Sequence, residues 1–119
     1  MAVNETTQDP TLLHLNSDTF DEKVYDEGEP IAVLFTRKTC AICHRMRPVL
    51  ERLAASGAEA SDGRNWTFAE VDAEESFDLM QRFGLAGVPQ LLLFVDGEPR
   101  GQVAGTATEK QVRELLQEA

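Results

Sequence analysis

The segment IAVLFTRKTCAICHRM at residues 31–46 decides the fold, because an apolar run leads directly into a pair of cysteines. Residues 31–35 are continuously apolar and follow Gly28-Glu29-Pro30, a pattern typical of a strand buried on both faces of a sheet. Beyond the cysteines, apolar residues recur with helical spacing, at Ile42, Met46, Val49, Leu50 and Leu53. The segment therefore predicts a buried strand, a short loop and a helix that opens at the cysteines.

Alternating strands and helices are predicted on both sides of this segment. The pair Asp96-Gly97 indicates a hairpin turn, and Thr108 with Gln111 fits a capping box that opens a last helix. The expected strands are residues 12–15, 31–35, 66–71, 90–95 and 102–104, and the expected helices begin near residues 18, 40, 77 and 108. This βαβαβαββα order predicts an α/β fold, with a central mixed β-sheet flanked by helices on both faces.

Length and charge limit the possible functions. The 119 residues fit one domain, expected to span residues 11–119 after a flexible leader at residues 1–10. Acidic residues outnumber basic ones 21 to 11, which gives a formal net charge of −10. Because no surplus of Lys and Arg exists to displace counterions, we expect neither nucleic acid nor an anionic membrane as a partner. We expect the protein to act as a monomer.

The sequence also favours a cytoplasmic location. Its longest apolar runs, residues 31–35 and 91–95, are much shorter than the roughly 20 residues that a membrane-spanning helix needs. The first ten residues are polar, and the first Lys or Arg is Lys23, which does not fit a signal peptide.

Cys40 and Cys43 are better explained by chemistry than by stabilisation. A disulfide between them closes a loop of about four residues, for which the chain-entropy estimate is only about 2 kcal/mol. A helix N-terminus presents unsatisfied N–H groups and a partial positive charge, and both favour a thiolate at Cys40. Cys40 is therefore the expected nucleophile on a substrate disulfide, and Cys43, one turn later, resolves the mixed disulfide.

A group of cations surrounds the cysteines. Residues 37–47 contain four of the eleven Lys and Arg residues and no acid; the basic residues are Arg37, Lys38, His44, Arg45 and Arg47. This cluster further favours a thiolate and is suited to attract acidic partners.

From about Leu12 to the C-terminus, the chain resembles the thioredoxin family. The predicted strand at residues 31–35 leads into the C-x-x-C motif. Pro48 stands five residues after Cys43, and Pro89 stands 46 residues after Cys43. The segment GLAGVPQLLLFVDGE at residues 84–98 is similar to the family's segment around the active-site proline, and Gly105 matches a glycine near the same surface.

The resemblance implies a protein thiol–disulfide oxidoreductase with a cis bond between Val88 and Pro89. It also implies protein disulfide substrates and a thioredoxin-reductase-type electron donor, linked to flavin or ferredoxin. Substrate is expected to dock on Ile42, Val88, Pro89 and Gly105. No metal or organic cofactor is required, because the redox pair is built into the chain.

The departures from the family pattern concern the redox potential and the route of proton transfer. Ala41 and Ile42 replace Gly-Pro, Thr36 and Thr39 replace two tryptophans, Leu34 replaces a buried Asp, and Glu70 replaces the Lys that partners it. Positions 34 and 70 are expected on neighbouring strands. We hypothesise that Glu70 supplies the lost carboxylate and takes the proton from Cys43 during resolution. The alternative is a glutamate that faces water at a strand edge.

Three other functions fit parts of the sequence. Cys40 to His44 also spell C-x-x-C-H, the attachment motif of c-type haem, with His44 as axial ligand. That alternative requires export and does not suit alternating strands and helices. A zinc site needs four ligands, and the only histidines are His14 and His44. The third alternative is a thioredoxin-like binding module without catalysis.

Overall fold

A five-stranded mixed sheet forms the centre of the computed structural model, which describes residues 12–119. The predicted leader at residues 1–10 lies outside the described residues. The strands are β1 (Leu13–Leu15), β2 (Ile31–Thr36), β3 (Thr67–Asp72), β4 (Gln90–Val95) and β5 (Glu98–Ala104). They are ordered β1-β3-β2-β4-β5, with β3 parallel to β1 and β2, and β4 antiparallel to β2 and β5.

The helical elements alternate with these strands and confirm the predicted order. They are a helical turn at Glu22–Asp26, α1 (Ala41–Ala55), α2 (Phe77–Arg82) and α3 (Glu109–Glu118). Thr108 caps α3 in the predicted capping box with Gln111. Within residues 12–119, no helix has both the length and the apolar character needed to cross a membrane.

Two apolar clusters cover opposite faces of the sheet, and β2 contributes to both. Ala32 and Leu34 pack in one cluster beneath α1 and α3, together with Leu50, Phe68, Leu91, Val112 and Leu116. Val33 and Phe35 pack in the other cluster, together with Phe20, Val24, Val71, Leu79 and Phe94. Because both faces of β2 are buried, its sequence is continuously apolar rather than alternating, as predicted.

Several element boundaries differ from the prediction, and two of these differences have a physical cause in the structure. Strand β3 begins at Thr67 instead of Trp66, whose ring packs in the cluster beneath α1 and whose indole N–H donates to the Leu116 carbonyl at 3.1 Å. Strand β5 begins at Glu98 instead of Gln102, because the hairpin turn pairs Glu98 directly with Val95.

Strand directions bring several loops to one edge of the sheet. The carboxyl ends of β1, β2 and β3 share this edge because the three strands are parallel. The antiparallel pairs Phe35–Gln90 and Gln90–Ala104 add the start of β4 and the end of β5. The cysteine segment after β2, Pro89 before β4 and Gly105 after β5 therefore lie at this edge.

An ion pair links α1 to the interior of the sheet. Glu70 stands opposite Leu34 in the register of β3 and β2, and only 4% of its surface is exposed. The Arg47 guanidinium donates to Glu70 Oε1 at 2.5 Å, and His14 Nε2 lies 3.2 Å from Oε2. A buried carboxylate is costly unless a cation and hydrogen bonds compensate it, so Arg47 stabilises the position of Glu70.

We therefore expect Arg47→Met to lower the free energy of unfolding by about 1–3 kcal/mol, since it leaves the buried carboxylate without its guanidinium. The double variant Arg47→Met/Glu70→Gln is expected to regain at least half of this loss. Denaturant unfolding followed by the fluorescence of Trp66, the only tryptophan, measures both. Arg45→Met on the exposed side of α1 is the matched control, and an equal loss in that control contradicts the prediction.

Candidate functional site

The two cysteines are joined at the start of α1. Cys40 is the N-cap residue, with extended backbone angles (φ −95°, ψ 104°), and its sulfur accepts a hydrogen bond from the Cys43 N–H at 3.2 Å. The N–H of Cys40 donates to the Arg37 carbonyl at 3.2 Å, which closes the turn between β2 and α1. Cys40 and Cys43 form a disulfide with their Cα atoms 5.2 Å apart. The sequence spacing correctly predicted this contact.

The two sulfurs differ in their access to solvent. Cys40 is partly exposed, whereas Cys43 is 1% exposed and packs inward from the first turn of α1. A reagent in solution can therefore reach Cys40, while Cys43 is reached only from Cys40. The geometry suits sequential disulfide exchange, in which the exposed sulfur reacts first.

The bond between Val88 and Pro89 is cis, as the family resemblance implied. The Gly105 N–H donates to the Pro89 carbonyl at 2.9 Å, which ties the loop before β4 to the end of β5. Gly105 has a φ of 82°, and a Cβ at this position would meet no atom within 4 Å, so the surface in front of it is open. The structure thus brings Pro89 and Gly105 together.

The accessible parts of the expected docking surface are Ile42 and Val88. Ile42 is 51% exposed and Val88 is half-buried, whereas the Pro89 side chain is buried. Pro89 has no N–H, and its carbonyl is already bonded to Gly105. Within residues 12–119, neither the N–H nor the carbonyl of Val88 has a backbone hydrogen-bond partner. The backbone of Val88 is therefore free to pair with an extended segment.

A cavity of about 460 Å³ lies at the same edge of the sheet, and neither sulfur lines it. Thr36 lines it, at a position where the resemblance expects a tryptophan. The cavity walls carry both signs of charge and consist of His14, Arg37, Lys38, His44, Arg47, Glu70, Asp72 and Glu75. Among residues 12–119, no three His, Cys, Asp or Glu side chains are grouped so as to hold a metal ion.

Glu70 is buried on the strand next to Leu34, so the alternative of a glutamate facing water is wrong. It lies on the sheet face beneath α1, and it is paired with Arg47, which stands one helical turn after Cys43 on that helix. Sequence reasoning missed Arg47 and His14 as its partners. The available signal was Arg47 itself, since it stands four residues after Cys43 and thus on the same side of α1.

The comparisons with known proteins agree with this geometry. A family model described as thioredoxin matches residues 11–118. The thioredoxin of Allochromatium vinosum is 27% identical over 106 residues, which cover 89% of this chain and 94% of the relative. Among solved structures, a single-site mutant of thioredoxin from Halobacterium salinarum NRC-1 superimposes with a TM-score of 0.76, at 28% identity and with 93% of each chain covered.

Two similar proteins are longer. Protein disulfide-isomerase tigA of Aspergillus niger is 40% identical over 87 residues, and protein disulfide isomerase-like 2-2 of Oryza sativa subsp. japonica is 34% identical over 92 residues. These matches cover 73% and 77% of this chain but only 23% and 24% of the relatives. The chain thus corresponds to about a quarter of each isomerase. The family match nonetheless spans almost all of the present chain and agrees with its fold, and the chain therefore belongs to the thioredoxin family.

Proposed function

We propose that the chain is an enzyme, a thiol–disulfide oxidoreductase that reduces disulfides of protein substrates through Cys40 and Cys43. The observation that carries this proposal is the bonded pair at the start of α1, with Cys40 partly exposed and Cys43 buried. Relatives described as thioredoxins and protein disulfide isomerases support the same chemistry.

In the reduced protein, the Cys40 thiolate attacks one sulfur of a substrate disulfide. The substrate S–S bond breaks, its second sulfur leaves as a thiolate that takes up a proton, and Cys40 is held in a mixed disulfide. The Cys43 thiolate then attacks the Cys40 sulfur, which releases the first substrate sulfur and forms the Cys40–Cys43 disulfide. Two electrons pass from the cysteine pair to the substrate. The bonded pair in the structure is the product of this step.

The start of α1 provides the electrostatic support for this exchange. The Cys43 N–H already points to the Cys40 sulfur at 3.2 Å, and a charge-assisted hydrogen bond to a thiolate is stronger than one to a neutral sulfur. The positive end of the α1 dipole acts in the same direction. Both effects stabilise Cys40 as nucleophile and as leaving group.

Substrate docking is assigned to the surface formed by Ile42, Val88, Pro89 and Gly105. The free backbone N–H and carbonyl of Val88 suit an extended substrate segment, which would add to the edge by main-chain hydrogen bonds. The half-exposed side chain of Ile42 provides apolar contact beside the cysteines.

Glu70 is proposed as the acceptor of the Cys43 proton. It is the buried carboxylate on the sheet face that α1 covers, and Arg47 anchors it to that helix. His14 lies 3.2 Å from its second oxygen and has 73% of its side chain exposed, so it can pass the proton onward to solvent. Arg47 and His14 act through Glu70 and are positioning residues.

The regeneration of the cysteine pair requires a donor of two electrons. A reductase of the thioredoxin-reductase type is the proposed donor. A reducing, cytoplasmic compartment is the proposed location, because attack on a substrate requires the reduced cysteine pair rather than the disulfide. In that setting the chain would transfer electrons from the reductase to protein disulfides and so contribute to cell redox homeostasis.

Two alternatives make different demands. Haem attachment at Cys40 and Cys43 suits a small helical cytochrome, whereas this chain has a five-stranded sheet and matches a thioredoxin family model. A binding module of the same fold would not require two bonded cysteines of which only Cys40 is accessible. An activity assay separates the binding module from the enzyme.

Cys40→Ser is expected to abolish reduction of a protein disulfide such as that of insulin, with turnover at least about 10³-fold below the wild type, because the remaining thiol, Cys43, is buried and does not reach the substrate. Cys43→Ser is expected to stop after the first exchange and to accumulate a mixed disulfide on Cys40. Intact-protein mass spectrometry detects this species. Full activity of Cys40→Ser would falsify the proposed mechanism.

Glu70→Gln is expected to slow the resolution of a mixed disulfide by at least about tenfold, since it removes the proton acceptor of Cys43. The measurement starts from a mixed disulfide between Cys40 and thionitrobenzoate and follows release of the coloured thiolate from about pH 6 to pH 9. Glu51→Gln, an exposed carboxylate on α1, is the control for net charge. Equal rates for Glu70→Gln and wild type across this range reject the role of Glu70.

A further inference from the structure

Most cations of this acidic protein are used within the fold. Of the eleven Lys and Arg residues, seven form ion pairs with carboxylates; these are Lys23, Arg47, Arg52, Arg64, Arg82, Arg100 and Arg113. The remaining four are Arg37, Lys38, Arg45 and Lys110, which have no ion pair within residues 12–119. Three of these four flank the cysteine pair. The uncompensated positive charge is therefore concentrated at the reactive sulfur.

Arg37 and Lys38 occupy a defined place relative to Cys40. The turn closed by the Cys40 N–H and the Arg37 carbonyl holds both residues immediately before α1. Both side chains are exposed, and both line the cavity of about 460 Å³ described above. The cavity thus provides room, next to the turn that precedes Cys40, for a side chain that belongs to a bound partner.

Of the three acids that line the same cavity, Glu70 is paired with Arg47. Asp72 Oδ1 accepts hydrogen bonds from the backbone N–H groups of Glu74 and Glu75 at 2.8 and 3.3 Å, but these neutral donors leave its charge in place. Asp72 and Glu75 have no ion pair among the described residues. Their two carboxylates line the cavity together with Arg37 and Lys38, and Arg45 on α1 is the third unpaired cation near the cysteines.

We infer that the preferred substrates carry acidic side chains next to the disulfide, and that Arg37 and Lys38, together with Arg45, select them. This inference rests on the proposed function and names its substrate class. Asp or Glu side chains that flank the substrate disulfide enter the field of these cations as the disulfide approaches Cys40. The positive end of the α1 dipole adds to that field.

The net charge of the chain, taken alone, predicts a preference for basic substrates. An experiment can therefore distinguish the two possibilities. A uniform charge of −10 would repel acidic substrates and favour basic ones. At an ionic strength of about 0.1 M, however, charges beyond about 10 Å are largely screened, so nearby cations outweigh distant acids. Local steering of this kind commonly changes association rates by about tenfold or more.

The test compares three disulfide peptides of equal length, with acidic, neutral or basic residues around the disulfide. We expect the wild type to reduce the acidic peptide with a kcat/KM about tenfold above that of the basic one at an ionic strength of about 0.1 M, where distant acids are screened, and an ionic strength of about 1 M to remove the difference. Arg37→Glu/Lys38→Glu is expected to reverse the order. Reduction of the neutral peptide by the wild type reports on the proposed function itself.

The double variant Arg64→Glu/Arg100→Glu is the matched control, because it makes the same change in net charge away from the cysteines. Arg64 donates to Asp96 in the hairpin turn, at the opposite edge of the sheet. The wild-type preference is expected to persist in this control. Reduction of the neutral peptide without a preference for the acidic one overturns the inference and leaves the proposed function intact. The inference is also overturned if the preference for the acidic peptide survives in Arg37→Glu/Lys38→Glu, or if it is lost equally in the control. Failure of the wild type to reduce any of the peptides rejects both the inference and the proposed function.

Discussion

The hydrogen bond from the Cys43 N–H to the Cys40 sulfur is the interaction on which the site depends. It exists because Cys40 occupies the N-cap position, where a helix has N–H groups without internal partners. A serine or aspartate would satisfy these groups with oxygen in most helices, whereas here a sulfur does so. The same hydrogen bond therefore begins α1 and favours the thiolate, so that the local fold and the reactivity share one cause.

The position of that helix start is set by the burial of β2. Both faces of the strand are covered, which fixes where it ends and how its last residues pair with β4. Since Phe35 pairs with Gln90, the cis bond before β4 lies at the same edge of the sheet as the cysteine segment. The accessibility of Cys40 and the burial of Cys43 follow from this edge position together with the packing of α1 on the sheet.

Those parts of the structure that depend on local patterns could be predicted from the sequence. The order of elements, the burial of β2 and the capping box at Thr108 are set by apolar periodicity or by short motifs, whereas the neighbouring positions of Leu34 and Glu70 were implied by the family resemblance. The partners of Glu70 are a different case. Arg47 and His14 come from separate elements: the register of β1 and β3 places His14 opposite Glu70, and the packing of α1 on β3 brings Arg47 to the same carboxylate.

The distribution of charge separates two tasks that a single cation cannot perform. Arg47 is paired with a buried carboxylate and so contributes little field toward solvent, because ion pairs cancel at distance. Arg37, Lys38 and Arg45 have no such partner within residues 12–119, and their charge reaches outward from the edge where Cys40 is exposed. Arg47 thus stabilises the buried carboxylate of Glu70. Arg37, Lys38 and Arg45 instead set the electrostatic field on the side of the sheet where Cys40 is exposed. The basic segment between residues 37 and 47 is a single cluster in sequence, but the fold divides it between these two roles.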